Sequence, residues 1–203
     1  MKSNFIIAMM ITTISALVNT SCKKDQNPPV TNSVTAADAS TTSASSILGV
    51  PDTLNVPEGN KLVEDAYATG FQIYEVQRSA SDPNVFSWVN IAPLAKLFKK
   101  PDFTDLLINH FAGPTWEFLK GPNTGQKVVA KKVVGITKDN TAIQWLLLKA
   151  DASLSSPDNQ ITFVQRLFTV GGLAPTTGAD EAHLGQLDSI PYTARYFFYE
   201  AQH

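Results

Sequence analysis

From about residue 54 onward the chain repeats one pattern, in which short runs of apolar residues alternate with polar ones and end at turn-forming residues. The run from Gln126 to Ile136 is the clearest, because it is rich in β-branched valine and alternates between two faces. Gly121-Pro122 precedes it and Asp139-Asn140 follows it, both typical of turns. About seven to nine such runs, with no long amphipathic helix, predict an all-β domain. The expected fold is a single antiparallel β-sandwich or barrel with long loops.

Several local assignments follow from the same pattern. Lys61 to Tyr67 and Phe71 to Gln77 are expected to be two strands, joined by a short hairpin at Ala68-Thr69-Gly70. The segment from Ala92 to Lys99 is compatible with a strand or a short helix. The segment from Asp102 to Asn109 is compatible with a strand or with a helical turn that begins at Thr104.

The first residues have the organisation of a signal peptide. Lys2 is followed by an apolar run from Phe5 to Val18, which is shorter than the roughly 20 residues that a membrane span needs. Small residues then precede Cys22, the one cysteine of the chain, and this arrangement resembles a bacterial lipoprotein signal of the Bacteroidetes type. Asn19 departs from the pattern, since an aliphatic residue is usual there. The alternative is a secreted protein cleaved nearby, with Cys22 incidental.

Composition divides the chain into three parts. We expect residues 1–21 to be the signal peptide, residues 22–52 to be a lipidated Cys22 and a disordered tether rich in Ser, Thr and Ala, and residues 53–203 to be the β domain. The predicted location is the bacterial cell envelope, lipid-anchored in the outer membrane or facing the periplasm. The membrane, through the N-terminal lipid, is therefore one expected partner. The formal net charge of -2 and the lack of a basic stripe argue against nucleic acid as another.

Several sequence blocks together resemble the domain of unknown function numbered 3455, DUF3455, over nearly the whole predicted domain. The blocks are Val56-Pro57, Gly59 to Val63, Gln72 to Glu75, His110 with Ala112 to Glu117, Trp145 to Ala150, Gln165-Arg166, Gly171 to Pro175, and Pro191 to Ala194 with Tyr196 to Tyr199. The resemblance implies an exported protein of the kind found in bacteria and fungi. It implies almost nothing about activity. Some members carry a dehydrogenase label, which this sequence does not support, because it has no glycine-rich strand-to-helix turn.

The resemblance also implies a lost cysteine pair. Members often carry one Cys after the Tyr-Glu pair and another after a glycine in the long loop, and here those positions are Val76 and Ala179. If the two cysteines form a disulfide in the family, Val76 and Ala179 should lie side by side. The loop from Ala174 to Ile190 would then lie against the Phe71–Gln77 strand without a covalent link and be looser.

The best acid–base pair in the sequence is His110 with Glu117, on the two arms of a Gly113-Pro114 bend. If the bend folds the arms together, the imidazole and the carboxylate can meet and shift each other's pKa. The alternative is a histidine that only hydrogen-bonds backbone beside a turn.

Arg166 lies on a strand that is otherwise apolar, beside Gln165 on the opposite face. An inward-facing Arg needs a carboxylate, and we expect Glu117 or Glu75 to supply it. A structural ion pair is favoured over a substrate clamp.

Further candidates for ligand contact are Trp116, Gln165, His183 and Tyr192. The aromatic residues can line a ligand groove, as they do in exported sugar-binding modules, but aromatic residues at strand spacing more often belong to the core. The spacing of His110 and His183 matches no metal-ligand signature, and we predict no metal site and no cofactor. Two hypotheses result. The chain is an envelope binding or structural module acting through the surface around the central turn and the long loop, or an enzyme (a hydrolase or isomerase) acting on a small molecule or glycan with His110, Glu117 and Arg166.

Overall fold

The computed structural model describes residue 47 and residues 49–203. The predicted signal peptide, Cys22 and most of the predicted tether lie outside the described residues. Among the described residues the structure contains two short 3-10 turns, Asp52–Leu54 and Glu181–His183, and no helix long and apolar enough to cross a membrane.

Eight strands form one sheet, and each pairs antiparallel with the next along the chain. They are β1 (Asn60–Arg78), β2 (Phe86–Phe98), β3 (Leu106–Phe111), β4 (Thr115–Phe118), β5 (Lys127–Ile136), β6 (Trp145–Ala150), β7 (Ile161–Gly171) and β8 (Leu187–Ala201). Strand β8 also pairs with β1, so the sheet closes into a barrel. The prediction of an all-β antiparallel domain is confirmed, and of the two alternatives the structure has the barrel.

The predicted hairpin at Ala68-Thr69-Gly70 is wrong, because β1 runs through it without a break for 19 residues. Gly70 is the register partner of Ala95 in β2. A Cβ on Gly70 would fall 2.6 Å from the Ala95 Cβ and against the Leu94 carbonyl. The glycine therefore allows two strands to approach closely, which is the other common reason for a glycine within a strand.

The two open assignments are now settled. The segment from Ala92 to Phe98 is strand, as part of β2. The expected helical turn at Thr104 is absent: Phe103 and Asp105 have positive φ values of 57° and 63°, which an α-helix does not allow. The Thr104 amide and hydroxyl both donate to the Asp102 carboxylate, at 3.1 and 2.6 Å, and this makes a tight turn into β3.

Inward-facing side chains fill the barrel with aromatic and aliphatic groups. The largest of them are Trp116, Tyr196 and Phe198, all almost fully buried. Burial of such side chains contributes roughly 1.5 to 3 kcal/mol each to the free energy of unfolding. The interior is therefore packed over much of its length, and this packing holds the barrel without a disulfide among residues 53–203.

A second apolar cluster lies on the outer wall, where β6, β7 and β8 are covered by the segment before β1. Leu54 and Val56 are buried there, and Ile47 and Val50 pack against the same cluster. Gln165 connects the barrel wall to the segment that covers it. Its Nε2 donates to the Leu54 carbonyl at 2.6 Å, and its Oε1 accepts from the Tyr199 hydroxyl at 2.7 Å.

Antiparallel order places four connections at one end of the barrel: residues 79–85, 112–114, 137–144 and 172–186. We call this the loop end. The opposite end carries the other three connections and the first residue of β1, where the Gln202 amide donates to the Gly59 carbonyl at 2.8 Å.

Candidate functional site

A cavity of about 370 Å³ opens into the barrel near the loop end. That volume lies in the range of small-molecule sites. Its lining residues come from all eight strands and from three loop-end connections. They are Gln72, Tyr74, Asn90, Pro93, His110, Pro114, Trp116, Lys132, Ile143, Gln144, Leu146, Leu148, Arg166, Leu173 and Tyr196. The central turn contributes Pro114 and the long loop contributes Leu173, so both predicted functional regions reach this cavity.

The lining is positively charged although the chain as a whole is not. Arg166 and Lys132 both line the cavity, and no Asp or Glu does among the residues described. The formal net charge of the whole chain is -2. A cavity with cations and no carboxylates, partly shielded from water, attracts anions more strongly than the open surface does.

Arg166 faces the cavity from β7 and is held by backbone. Its Nε and Nη2 donate to the Gln144 carbonyl at 3.2 and 3.0 Å. Neither predicted carboxylate partner is present: Glu117 forms its ion pair with Lys127 at 3.4 Å, and Glu75 accepts a hydrogen bond from Gln77 at 2.7 Å. Strand alternation is the reason, because both glutamates adjoin residues that face inward.

His110 and Trp116 stack against each other inside the barrel, and Glu117 does not take part. His110 is the register partner of Trp116, whereas Glu117 is that of Asn109, on the other face of the hairpin. The two rings are 4.4 Å apart at their centroids and inclined by 7°. The proposed His110–Glu117 acid–base pair is therefore wrong: the bend brings the two strands together, but the pleat separates the two side chains.

The protonation state of His110 follows from its surroundings. Its Nδ1 lies 2.9 Å from the Thr115 carbonyl, which can only accept, so Nδ1 carries the hydrogen and Nε2 is bare in the neutral ring. Burial lowers the pKa of His110 from 6.5 to about 3, the positive charge of Arg166 lowers it further, and the Thr115 hydrogen bond opposes both. The imidazole is neutral at physiological pH.

Two buried N–H donors of the lining have no hydrogen-bond partner in the described part of the chain. They are Trp116 Nε1 and Gln72 Nε2, on side chains of residues that are 1% and 4% exposed. The other end of the Gln72 amide accepts from Asn90 Nδ2 at 3.0 Å, which fixes its orientation. An unpaired buried donor costs roughly 1 to 3 kcal/mol. Two of them beside one cavity indicate a place where a ligand supplies acceptors.

Two tyrosines complete the interior of the site. The hydroxyls of Tyr192 and Tyr196 lie 3.3 Å apart, and Tyr196 lines the cavity. Burial raises the pKa of both phenols. Both therefore stay protonated and can donate at neutral pH. Tyr192, a predicted ligand contact, is not among the lining residues and reaches the site only through its contact with the Tyr196 hydroxyl.

The remaining predicted contacts lie elsewhere. Gln165 faces outward, and both ends of its amide are used to bind Leu54 and Tyr199, so its role is structural. His183 is exposed, and its Nδ1 lies 2.6 Å from the Asp180 carboxylate. No three His, Cys, Asp or Glu side chains come together as metal ligands within the described residues.

Sequence reasoning did not identify Gln72, Lys132 or Gln144 as site residues. Gln72 could have been found from the strand pattern, because it shares the inward face of β1 with Tyr74 and Val76. A polar side chain on a buried face is costly unless it has a hydrogen-bond partner, so its presence there indicates a role. Lys132 and Gln144 carry no local pattern that distinguishes them from other surface residues.

A sequence-family model described as "Protein of unknown function (DUF3455)" matches residues 57–200. The chain belongs to the DUF3455 family. No curated protein and no solved structure matches it. The DUF3455 match covers seven strands entirely, β8 up to residue 200 and all of the cavity lining, so the site lies wholly within the family domain.

The DUF3455 resemblance implied that Val76 and Ala179 are neighbours. The structure brings the loop of Ala179 against the strand of Val76: the Val76 amide donates to the Gln186 carbonyl and the Gly185 amide to the Val76 carbonyl, at 3.0 and 2.9 Å. Trp88, the register partner of Val76, donates its indole N–H to the Thr177 carbonyl at 2.8 Å. The loop is thus fixed at several points by hydrogen bonds. The side-by-side contact itself stays a prediction.

Proposed function

We propose that this DUF3455 protein is a binding module for a small organic anion, which it holds in the loop-end cavity of the barrel. The observation that carries the proposal is the Arg166 guanidinium, which faces a cavity without carboxylates and beside two unpaired N–H donors. Arg166 uses two of its five N–H groups on Gln144, and the others face the cavity side, where the Tyr196 hydroxyl and a ligand can accept from them. Charge-assisted hydrogen bonds of this kind are roughly twice as strong as neutral ones.

The apolar part of the cavity lining indicates the shape and polarity of the rest of the ligand. Ile143, Leu146 and Leu148 give an aliphatic side, and the Trp116–His110 stack gives an aromatic one. A compact apolar body bearing one anionic group fits this mixture of surfaces. A carboxylate on an aromatic or short aliphatic frame meets both requirements.

Binding is favoured over acid–base catalysis. The alternative enzyme used His110, Glu117 and Arg166, and Glu117 lies on the outer wall, paired with Lys127. His110 has a pKa of about 3 and is a weak base. The two groups proposed for proton transfer are therefore unsuited to it, one because it lies outside the cavity and the other because it is too weakly basic.

The proposal includes an envelope location. It is supported by the signal-like residues 1–21, the single Cys22 and the Ser/Thr-rich stretch that follows, which together would attach the module to a bacterial membrane through a lipid. Expression with a radiolabelled fatty acid tests it. We expect label on the wild-type chain and none on Cys22→Ser; label on both, or on neither, contradicts the anchor.

Calorimetric titration tests the ligand class. The full chain is titrated with aromatic and aliphatic monocarboxylates, benzoate among them, each paired with its uncharged amide. We expect acids to bind and amides not to, Arg166→Gln to abolish binding, and Arg166→Lys to restore part of it. Glu117→Gln is the matched control and should bind like the wild type. Equal binding of acid and amide, or no binding by any acid, contradicts the proposal.

A further inference from the structure

One residue holds both cations of the cavity. The Gln144 main-chain carbonyl accepts from Arg166, and the Gln144 side-chain Oε1 accepts from Lys132 Nζ at 3.2 Å. Gln144 Nε2 in turn donates to the Thr137 hydroxyl at 3.3 Å, which orients the amide so that its oxygen faces the lysine. Gln144 thus accepts from a guanidinium through its main chain and from an ammonium through its side chain. Two like charges, which repel each other, are held by the same residue.

A glycine provides the space for this arrangement. Gly135 lies in β5 opposite Leu146, and its φ is not in the left-handed region. Its backbone therefore does not demand glycine. A Cβ there would fall 2.7 Å from Gln144 Oε1, 2.7 Å from Leu146 Cδ2 and 3.3 Å from Lys132 Cε. The absence of a side chain at Gly135 is what lets the amide and the lysine stem occupy one side of the cavity.

We infer that the ligand carries two negative charges, one bound by Arg166 inside the cavity and the other by Lys132 at its mouth, with Gln144 as the residue that positions both cations. This inference rests on the proposed function and narrows its ligand class to dianions. Arg166 has further N–H groups beyond the two donated to Gln144. Lys132 is exposed and keeps two ammonium hydrogens beyond the one donated to Gln144.

The position of each charge on the ligand follows from burial. The inner group meets Arg166 in a partly desolvated site, where a planar carboxylate or a phosphoryl group can accept two parallel N–H donors. The outer group meets a solvated ammonium, whose attraction is weaker and is reduced by salt. Dicarboxylates and phosphate monoesters share this chemistry, and the titration below separates them.

The test compares benzoate, isophthalate and phenyl phosphate on the full chain by calorimetry at low ionic strength. We expect both dianions, or one of them, to bind about fivefold more tightly than benzoate, which is the size of one exposed ion pair. The dianion that binds more tightly identifies the ligand class: isophthalate indicates a dicarboxylate and phenyl phosphate indicates a phosphate monoester.

Variants assign the effect to the cluster. Lys132→Met should lower the affinity for the dianion about fivefold more than the affinity for benzoate, so that the two probes bind alike. Gln144→Ala should do the same, because it keeps the main-chain carbonyl that holds Arg166 and removes the side-chain amide whose Oε1 accepts from Lys132. Lys127→Met is the matched control: it removes a cation of the same strand that pairs outside with Glu117, and it should leave all three affinities unchanged.

The outcomes separate this inference from the proposed function. Binding of benzoate with no gain for either dianion overturns the inference and leaves the anion module standing. If Lys127→Met lowers the affinity for the dianion as much as Lys132→Met does, the inference is also overturned. The loss would then reflect the overall charge of the protein. No binding by any of the three probes or by the wider monocarboxylate panel overturns both.

Discussion

The Tyr74 hydroxyl donates a hydrogen bond of 2.7 Å to the Gly172 carbonyl inside the barrel and so joins β1 to the start of the long loop. Gly172 has a φ of 80°, and a Cβ there would fall 2.9 Å from the Tyr192 Cβ. Leu173, the next residue, lines the cavity. This contact therefore ties the start of the long loop, and with it one wall of the site, to β1.

Loss of that hydroxyl should loosen the wall of the site. Tyr74→Phe leaves the Gly172 carbonyl unpaired, and we expect the free energy of unfolding to fall by about 1 to 2 kcal/mol. Urea denaturation measures this loss. In Tyr74→Phe, the backbone amides that follow Gly172 should exchange faster than in the wild type, and those of β5 should not change. Equal exchange rates in Tyr74→Phe and the wild type would contradict the role of the contact.

The buried imidazole should make the fold sensitive to acid. In the unfolded chain His110 takes a proton near pH 6.5, whereas in the folded barrel its pKa is about 3. Between these values the unfolded state binds more protons, so stability falls as the pH is lowered from about 6.5 to 3 and is fully recovered above that window. The contribution is roughly 3 to 5 kcal/mol.

His110→Phe removes the titrating group and keeps a ring beside Trp116. Its stability, measured by urea denaturation between pH 7 and pH 4, should decline less steeply than that of the wild type, since the proton uptake of the buried imidazole on unfolding is then absent. Parallel declines for the two proteins would show that His110 is not neutral in the fold.

Close approach of β1 and β2 should make Gly70 intolerant of any side chain. Gly70→Ala places a Cβ against the Leu94 carbonyl and 2.6 Å from the Ala95 Cβ, so we expect a loss of about 1 to 3 kcal/mol in the free energy of unfolding. Thermal denaturation measures it. A loss below about 0.5 kcal/mol, the range of ordinary surface substitutions, would contradict the close contact.

The cysteine pattern of the family gives a fourth prediction. In a Cys22→Ser background, Val76→Cys with Ala179→Cys should form a disulfide under oxidising conditions and raise the melting temperature. Each single variant is the control, and reductant should remove the gain. Two free thiols in the folded double variant, titrated under oxidising conditions, would show that the two positions are not neighbours.

The sequence predicted the class of the fold because strand alternation is a local property. The β-branched run of β5 and the turn around Gly113-Pro114 both occur in the structure as strand and hairpin. Closure into a barrel depends on β8 pairing with β1, a contact between distant segments that no local pattern reports. Gly70 was misread for the same reason, since its role depends on Ala95.

The site was predictable only in part. His110, Trp116 and Arg166 carry side chains unusual for a sheet interior, and all three line the cavity. Glu117 was assigned to the site because it is near in sequence, but the pleat directs it away from His110. Gln144 acts through its main-chain carbonyl as well as its side chain, and a backbone group has no signature in a sequence.

Closure of the sheet has a consequence for how this protein meets other chains. Every strand has a neighbour on both sides over part of its length, so none is an edge strand throughout. The exposed residues Leu94 and Val170 lie where the ladder is paired on one side only, because β2 pairs with β3 from Ala95 onward and β7 pairs with β6 from Phe163 to Arg166. Closure therefore restricts strand-mediated association to such short open stretches.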